Sequence, residues 1–140
     1  MEWAALVTWI VTAGGGLVLL GVWLRHGGMA QAGSRGTIRP AAILTHFALA
    51  ATGLVLWIIY LAADSDAFAW IAFVLLLVVA AIGFGMFAVW LGQRRLPVTA
   101  EARVEPAERR FPTPVVGLHG LLAATTLVLV FLTAVGIGES

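Results

Sequence analysis

Two of the three histidines, His46 and His119, stand at the head of matching segments. The first reads His46-Phe-Ala-Leu-Ala-Ala-Thr-Gly-Leu-Val-Leu56 and the second His119-Gly-Leu-Leu-Ala-Ala-Thr-Thr-Leu-Val-Leu129. Eight of the eleven positions agree, all at the one offset that carries His46 onto His119. Both segments are apolar enough to lie in a bilayer. An ionisable residue there is costly and points to a functional site with a nameable partner. Each histidine offers the other an imidazole at the matching position. Such a pair can hold a metal or a metalloporphyrin, relay a proton, or hydrogen-bond to its surroundings as plain packing. Interhelical hydrogen bonds contribute only about 0.6 kcal/mol on average in membranes, which is a weak reason to bury two imidazoles at matching positions. Zinc or copper asks for three or four ligands. The apolar segments supply no Asp, Glu or Cys, and Met86 is the one extra candidate. Axial ligation of an iron porphyrin uses both histidines and needs no third ligand. Hydrogen-bonded packing, another metal and a proton relay stand as the alternatives.

The elements that must position the pair follow from hydropathy. Four stretches reach the roughly 20 apolar residues that a spanning helix needs. They run over about 3–24, 41–62, 67–91 and 114–137. The 140-residue chain is 61% hydrophobic and 11% charged, with a mean hydropathy of +1.03, too apolar for a water-soluble core. The predicted class is therefore all-α: an integral membrane four-helix bundle forming one domain over 1–140. Cysteine is absent, so disulfides, iron–sulfur clusters and thiolate metal sites are excluded. All eight basic residues are arginine, at 25, 35, 39, 94, 95, 103, 109 and 110. They fall in the first and third connections, interspersed with acids in the third, and give no support to nucleic-acid binding. Their placement puts those two connections in the cytoplasm and both termini outside, across a cell (inner) membrane. The middle connection carries Asp64 and Asp66, expected to cap a short turn. The run 96–114, rich in Pro, Glu and Arg, reads as a solvated loop.

The repeat extends to the other two helices. Gly16-Leu-Val-Leu-Leu-Gly-Val-Trp-Leu24 resembles Gly83-Phe-Gly-Met-Phe-Ala-Val-Trp-Leu91, in a register that carries Gly16 onto Gly83. The predicted fold is thus a tandem repeat of two helical hairpins in the same orientation, with a pseudo-twofold axis along the membrane normal. His46 lies six residues past Pro40 and His119 five past Pro114, so both sit roughly 8–10 Å into their helices at 1.5 Å per residue. In an up-and-down bundle the second and fourth helices are diagonal, and the two rings point inward at one level. Small residues share their faces: Ala50 and Gly53 after His46, Ala123 and Thr126 after His119. Gly16 and Gly85 each precede an arginine by nine residues, which suggests similar depth and room for a flat ligand. Helix packing is the competing use of such glycines. Arg39, seven residues before His46, is the first candidate to pair a haem propionate. His26 is expected to face the interface.

On His46, His119 and these glycines the chain resembles the four-helix core of membrane b-type cytochromes, including the b subunit of quinol-oxidising complexes and the ascorbate-reducible class. The resemblance implies haem b clasped by the histidines of the second and fourth helices. It further implies electron transfer near the cytoplasmic face, with a quinone, a reductase or a neighbouring respiratory subunit as partner. Quinol-oxidising cores stack two haems, with a second histidine about four helical turns further along each ligand helix. Here those places hold Ile59 and Tyr60, and Leu132 and Thr133, so one haem is expected. The rival function is a cofactor-free accessory or assembly subunit of a larger membrane complex. A small transporter is weaker, because the membrane interior holds no acidic residue. The lipid bilayer is a partner under every reading, and a homo-oligomer is compatible with all of them.

Overall fold

The computed structural model describes residues 1–31, 37–63, 65–95 and 105–137. The expected turn at Asp64, and the arginines at 35 and 103, lie outside the described residues. Four α-helices carry the fold: α1 (Glu2–Arg25), α2 (Pro40–Ala63), α3 (Asp66–Arg95) and α4 (Thr113–Ala134). Each is long and apolar enough to cross a membrane, and the chain is a multi-pass helical bundle. Helix ends fall within a few residues of the hydropathy limits. The largest differences are α3, which continues to Arg95, and α4, which stops at Ala134.

Local chemistry explains these limits. Pro40 opens α2 and Pro114 sits in the first turn of α4, where a missing N–H costs no helical hydrogen bond. Glu2 begins α1 and Arg25 ends it; Asp66 begins α3 and Arg94 and Arg95 end it. Both pairs complement the helix dipole. The chain leaves α1 through Gly27 and α4 through Gly136, at φ of 77° and 76°. That left-handed backbone suits glycine and stops a helix.

The helices go round the bundle in the order α1, α4, α3, α2. The tight pairs are α1 with α4 and α2 with α3, while α1 with α2 and α3 with α4 pack less extensively. Helices α2 and α4 are therefore diagonal, as the hairpin repeat predicts. Large apolar side chains such as Val7, Leu17, Val55, Val74, Phe84 and Leu121 are exposed, which suits a surface solvated by lipid.

The half of the bundle nearer the termini is filled by aromatic residues. Trp9, Trp57 and Tyr60 are 3%, 0% and 3% exposed. Ring centroids lie 6.5 Å apart for Trp9 and Trp57, and 4.9 Å apart for Trp57 and Tyr60. Small residues make the space: Ala5, Ala69 and Ala72 are buried around them. A Cβ at Gly53 would lie 3.0 Å from the Trp9 ring.

The other end, rich in arginine, is tied together by a buried carboxylate. A 3₁₀ turn over Ala107–Arg110 tucks Ala107 and Glu108 inside. Glu108 is fully buried; its Oε1 accepts from the Ile38 N–H and from Gln93 Nε2, each at 2.7 Å. Gln31 Oε1 accepts from the Ala107 N–H at 3.0 Å. The expected solvated loop is thus corrected over this turn, which closes the bundle end. Glu105 stays exposed and pairs with Arg110 at 2.6 Å and more loosely with Arg109 at 3.9 Å.

Candidate functional site: a reciprocal histidine pair

The two histidines meet. Their ring centroids are 6.3 Å apart with the ring planes inclined at 56°. Each ring is held by the helix of the opposite hairpin. His46 Nδ1 is 3.0 Å from the Val79 carbonyl oxygen of α3, and His119 Nδ1 is 2.9 Å from the Thr12 carbonyl oxygen of α1. Thr12 and Val79 are themselves repeat mates, in the register that carries Gly16 onto Gly83. The internal symmetry therefore reaches individual hydrogen bonds.

A carbonyl oxygen can only accept, so each Nδ1 carries the proton and donates. In a neutral ring that is the tautomer in which Nε2 keeps its lone pair. A ring nitrogen bonded in this way is the usual means by which a protein orients a metal-ligating histidine.

The glycines complete the cradle. A Cβ built on Gly83 would lie 3.2 Å from His46 Cε1 and 3.7 Å from its Nδ1. A Cβ built on Gly16 would meet His119 at the same two atoms and the same two distances. Gly15 is also in ordinary contact range of the His119 ring. Gly16 thus lies against a histidine, as a residue of the site. Gly85 does not: a Cβ there would meet nothing within 4 Å, and the residue is exposed. The partner of Gly16 is Gly83. Depth counted from the arginines ignored helical phase, and two residues turn a helix by about 200°.

Ala50 and Ala123 are half-buried, each one turn beyond its histidine. Thr126, on the His119 face, is buried; its hydroxyl lies 2.8 Å from the Leu122 carbonyl and 3.0 Å from the Thr8 hydroxyl. Arg39 is exposed and lines an open groove with Ala42, Ile82, Gly85 and Met86. His26 is exposed at the end of α1, its Nδ1 bonded to the Val22 carbonyl at 2.7 Å.

The spacing of the pair can be set beside the lengths that two of its uses would require. Two imidazoles hydrogen-bonded head to head, with nitrogens about 2.9 Å apart, would have centroids roughly 5.2 Å apart. Two imidazoles holding one ion from opposite sides, at about 2.0–2.1 Å each, would have centroids roughly 6.2–6.5 Å apart. The observed centroid separation of 6.3 Å equals that of the second arrangement and exceeds that of the first. Among the described residues no group of three or more His, Cys, Asp or Glu gathers to add further ligands. At the second candidate level, Tyr60 is buried against Trp57, and Thr133 is buried.

No family model, curated protein or solved structure matches the chain.

Proposed function

We propose that the chain is a small membrane b-type cytochrome holding one haem b between α2 and α4. The observation that carries this reading is the reciprocal histidine pair at 6.3 Å, each ring presenting Nε2 because its Nδ1 donates to a backbone carbonyl. Haem, when bound, supplies one-electron chemistry. The protein's own part is to bind and orient. His46 and His119 would hold the haem through their ring nitrogens, and a haem held by two histidines would serve electron transfer rather than binding of small ligands. Gly16 and Gly83 let the rings lie back against α1 and α3. The apolar helices exclude water and hold the polarity of the site low.

The arginine-rich connections face the cytoplasm in this reading, with the termini on the far side of the cell membrane. Electrons would exchange near the cytoplasmic face with a quinone, a reductase or a neighbouring respiratory subunit. With one histidine pair the reading takes a single haem, and a partner would complete any path across the bilayer.

A visible spectrum of the detergent-purified protein, before and after dithionite, tests the proposal. Sharp α and β bands in the reduced state, lost in H46A and H119A, are expected. A protein that stays colourless after expression with a haem precursor refutes it and favours the cofactor-free subunit.

A further inference from the structure

Trp90 is a buried donor without an acceptor. It is 5% exposed, and among the described residues its indole Nε1–H finds no partner. A buried polar group left unpaired costs about 1–3 kcal/mol and calls for an explanation. The Arg94 guanidinium lies 5.1 Å over the same ring, so a positive charge accompanies the idle donor. A donor beside a guanidinium suits an anion, and a carboxylate most simply.

The position of Trp90 suits a carboxylate carried by a haem at the histidine pair. It follows Gly83, the residue that cradles His46, by seven positions on α3. Two helical turns carry it about 10 Å toward the arginine-rich end. That is the reach from the centre of a porphyrin to its propionates. Propionates turn toward the nearer aqueous face, because a carboxylate in the membrane interior is costly.

The repeat supplies a comparison. Trp23 occupies the matching place on α1, as Gly16 matches Gly83. There the chain leaves the helix at Arg25 and folds Gly28 onto the ring; a Cβ at Gly28 would fall inside the indole. Helix α3 instead runs on to Arg95. Trp23 is covered by its own turn, whereas Trp90 keeps its donor.

We infer that Trp90 is a positioning residue whose indole N–H, with Arg94 beside it, receives a haem propionate. This rests on the haem reading proposed above. The test is a redox titration of haem-loaded wild type, W90F and W23F, each also loaded with haem dimethyl ester. Losing the hydrogen bond leaves more negative charge on the propionate and favours ferric iron. W90F is expected to keep the bis-histidine spectrum while its reduced-to-oxidised ratio at fixed potential falls on the order of threefold, about 28 mV at 59 mV per decade. W23F is expected to match wild type, and the esterified haem is expected to abolish the W90F difference.

A W90F titration identical to wild type overturns the inference. So does an equal shift in W23F, or a W90F shift that survives esterification. The wild-type Trp90 indole ¹⁵N–¹H resonance gives a reading that needs no variant. It is expected to move between haem and its dimethyl ester, and an unmoved resonance overturns the inference even if W90F does not fold. A wild-type chain that takes up no haem is a separate result. It removes the haem reading, and Trp90 with it, before any variant is compared.

Discussion

Replacing Gly16, Gly83 and Gly85 one at a time by alanine separates the cradle from the rest of the helix surface. At an exposed helical site a glycine-to-alanine change stabilises by about 0.8–1.0 kcal/mol, through backbone entropy and helix propensity. Gly85 meets nothing within 4 Å, so G85A should show that gain. At Gly83 the new methyl would stand 3.2 Å from His46 Cε1, and the ring cannot retreat freely while Nδ1 is held 3.0 Å from the Val79 carbonyl. Overpacking of this kind costs about 1–3 kcal/mol. Set against the propensity gain, G83A should lie about 1–3 kcal/mol below G85A. At roughly 4 °C per kcal/mol for a chain of this size, the gap is several degrees in midpoint. G16A should behave like G83A, since its methyl would meet His119 at the same distances. Thermal unfolding in detergent, followed by tryptophan fluorescence without haem, gives the comparison directly. If G16A and G83A unfold with G85A or above it, the histidines do not rest on these glycines.

Other outcomes follow from the same contacts. H46A and H119A should each remove the low-spin spectrum yet still give folded protein by circular dichroism, because each loses one interhelical hydrogen bond worth about 0.6 kcal/mol on average. E108A leaves the Ile38 N–H buried without its acceptor and should lower stability by about 1–3 kcal/mol, whereas E108Q keeps a carbonyl oxygen for both donors and should cost less; chemical denaturation of the two variants compares them. The haem-to-protein ratio, measured as pyridine haemochrome against amino-acid analysis, should be one, and a ratio of two contradicts the filling of the other half by Trp9, Trp57 and Tyr60.

Much of this arrangement can be read from sequence because membranes constrain it so strongly. A run of about 20 apolar residues has few alternatives to a helix, and a repeated segment carries its own symmetry. The level of the histidines and their diagonal placement followed from these two facts. The exposed Thr52 and Thr125 bond the carbonyls of Ala48 and Leu121, one turn back, as threonine in a helix commonly does. Helical phase was the weak point. Gly85 had the right depth and the wrong face, and the register of the repeat already named Gly83 instead. The buried Glu108 was not legible. Its partners Ile38 and Gln93 are 70 and 15 residues away, and a Pro-bounded run of Glu and Arg reads as solvated whether or not one carboxylate turns inward. The idle donor of Trp90 was hidden too, because a tryptophan near a helix end suits a membrane interface equally well.

Each hairpin supplies the carbonyl that steadies the other hairpin's histidine, and the longer of the two bonds in sequence spans most of the chain. That bond, from His119 to Thr12, joins positions 107 apart. During synthesis His46 gains its anchor only when α3 arrives, and His119 exists only once α4 is made. A nascent chain interrupted after three helices has both cradle glycines but only one imidazole of the pair. Under the haem reading, cofactor capture would wait for the end of insertion, and colour in the membrane would report that all four helices have been threaded and paired.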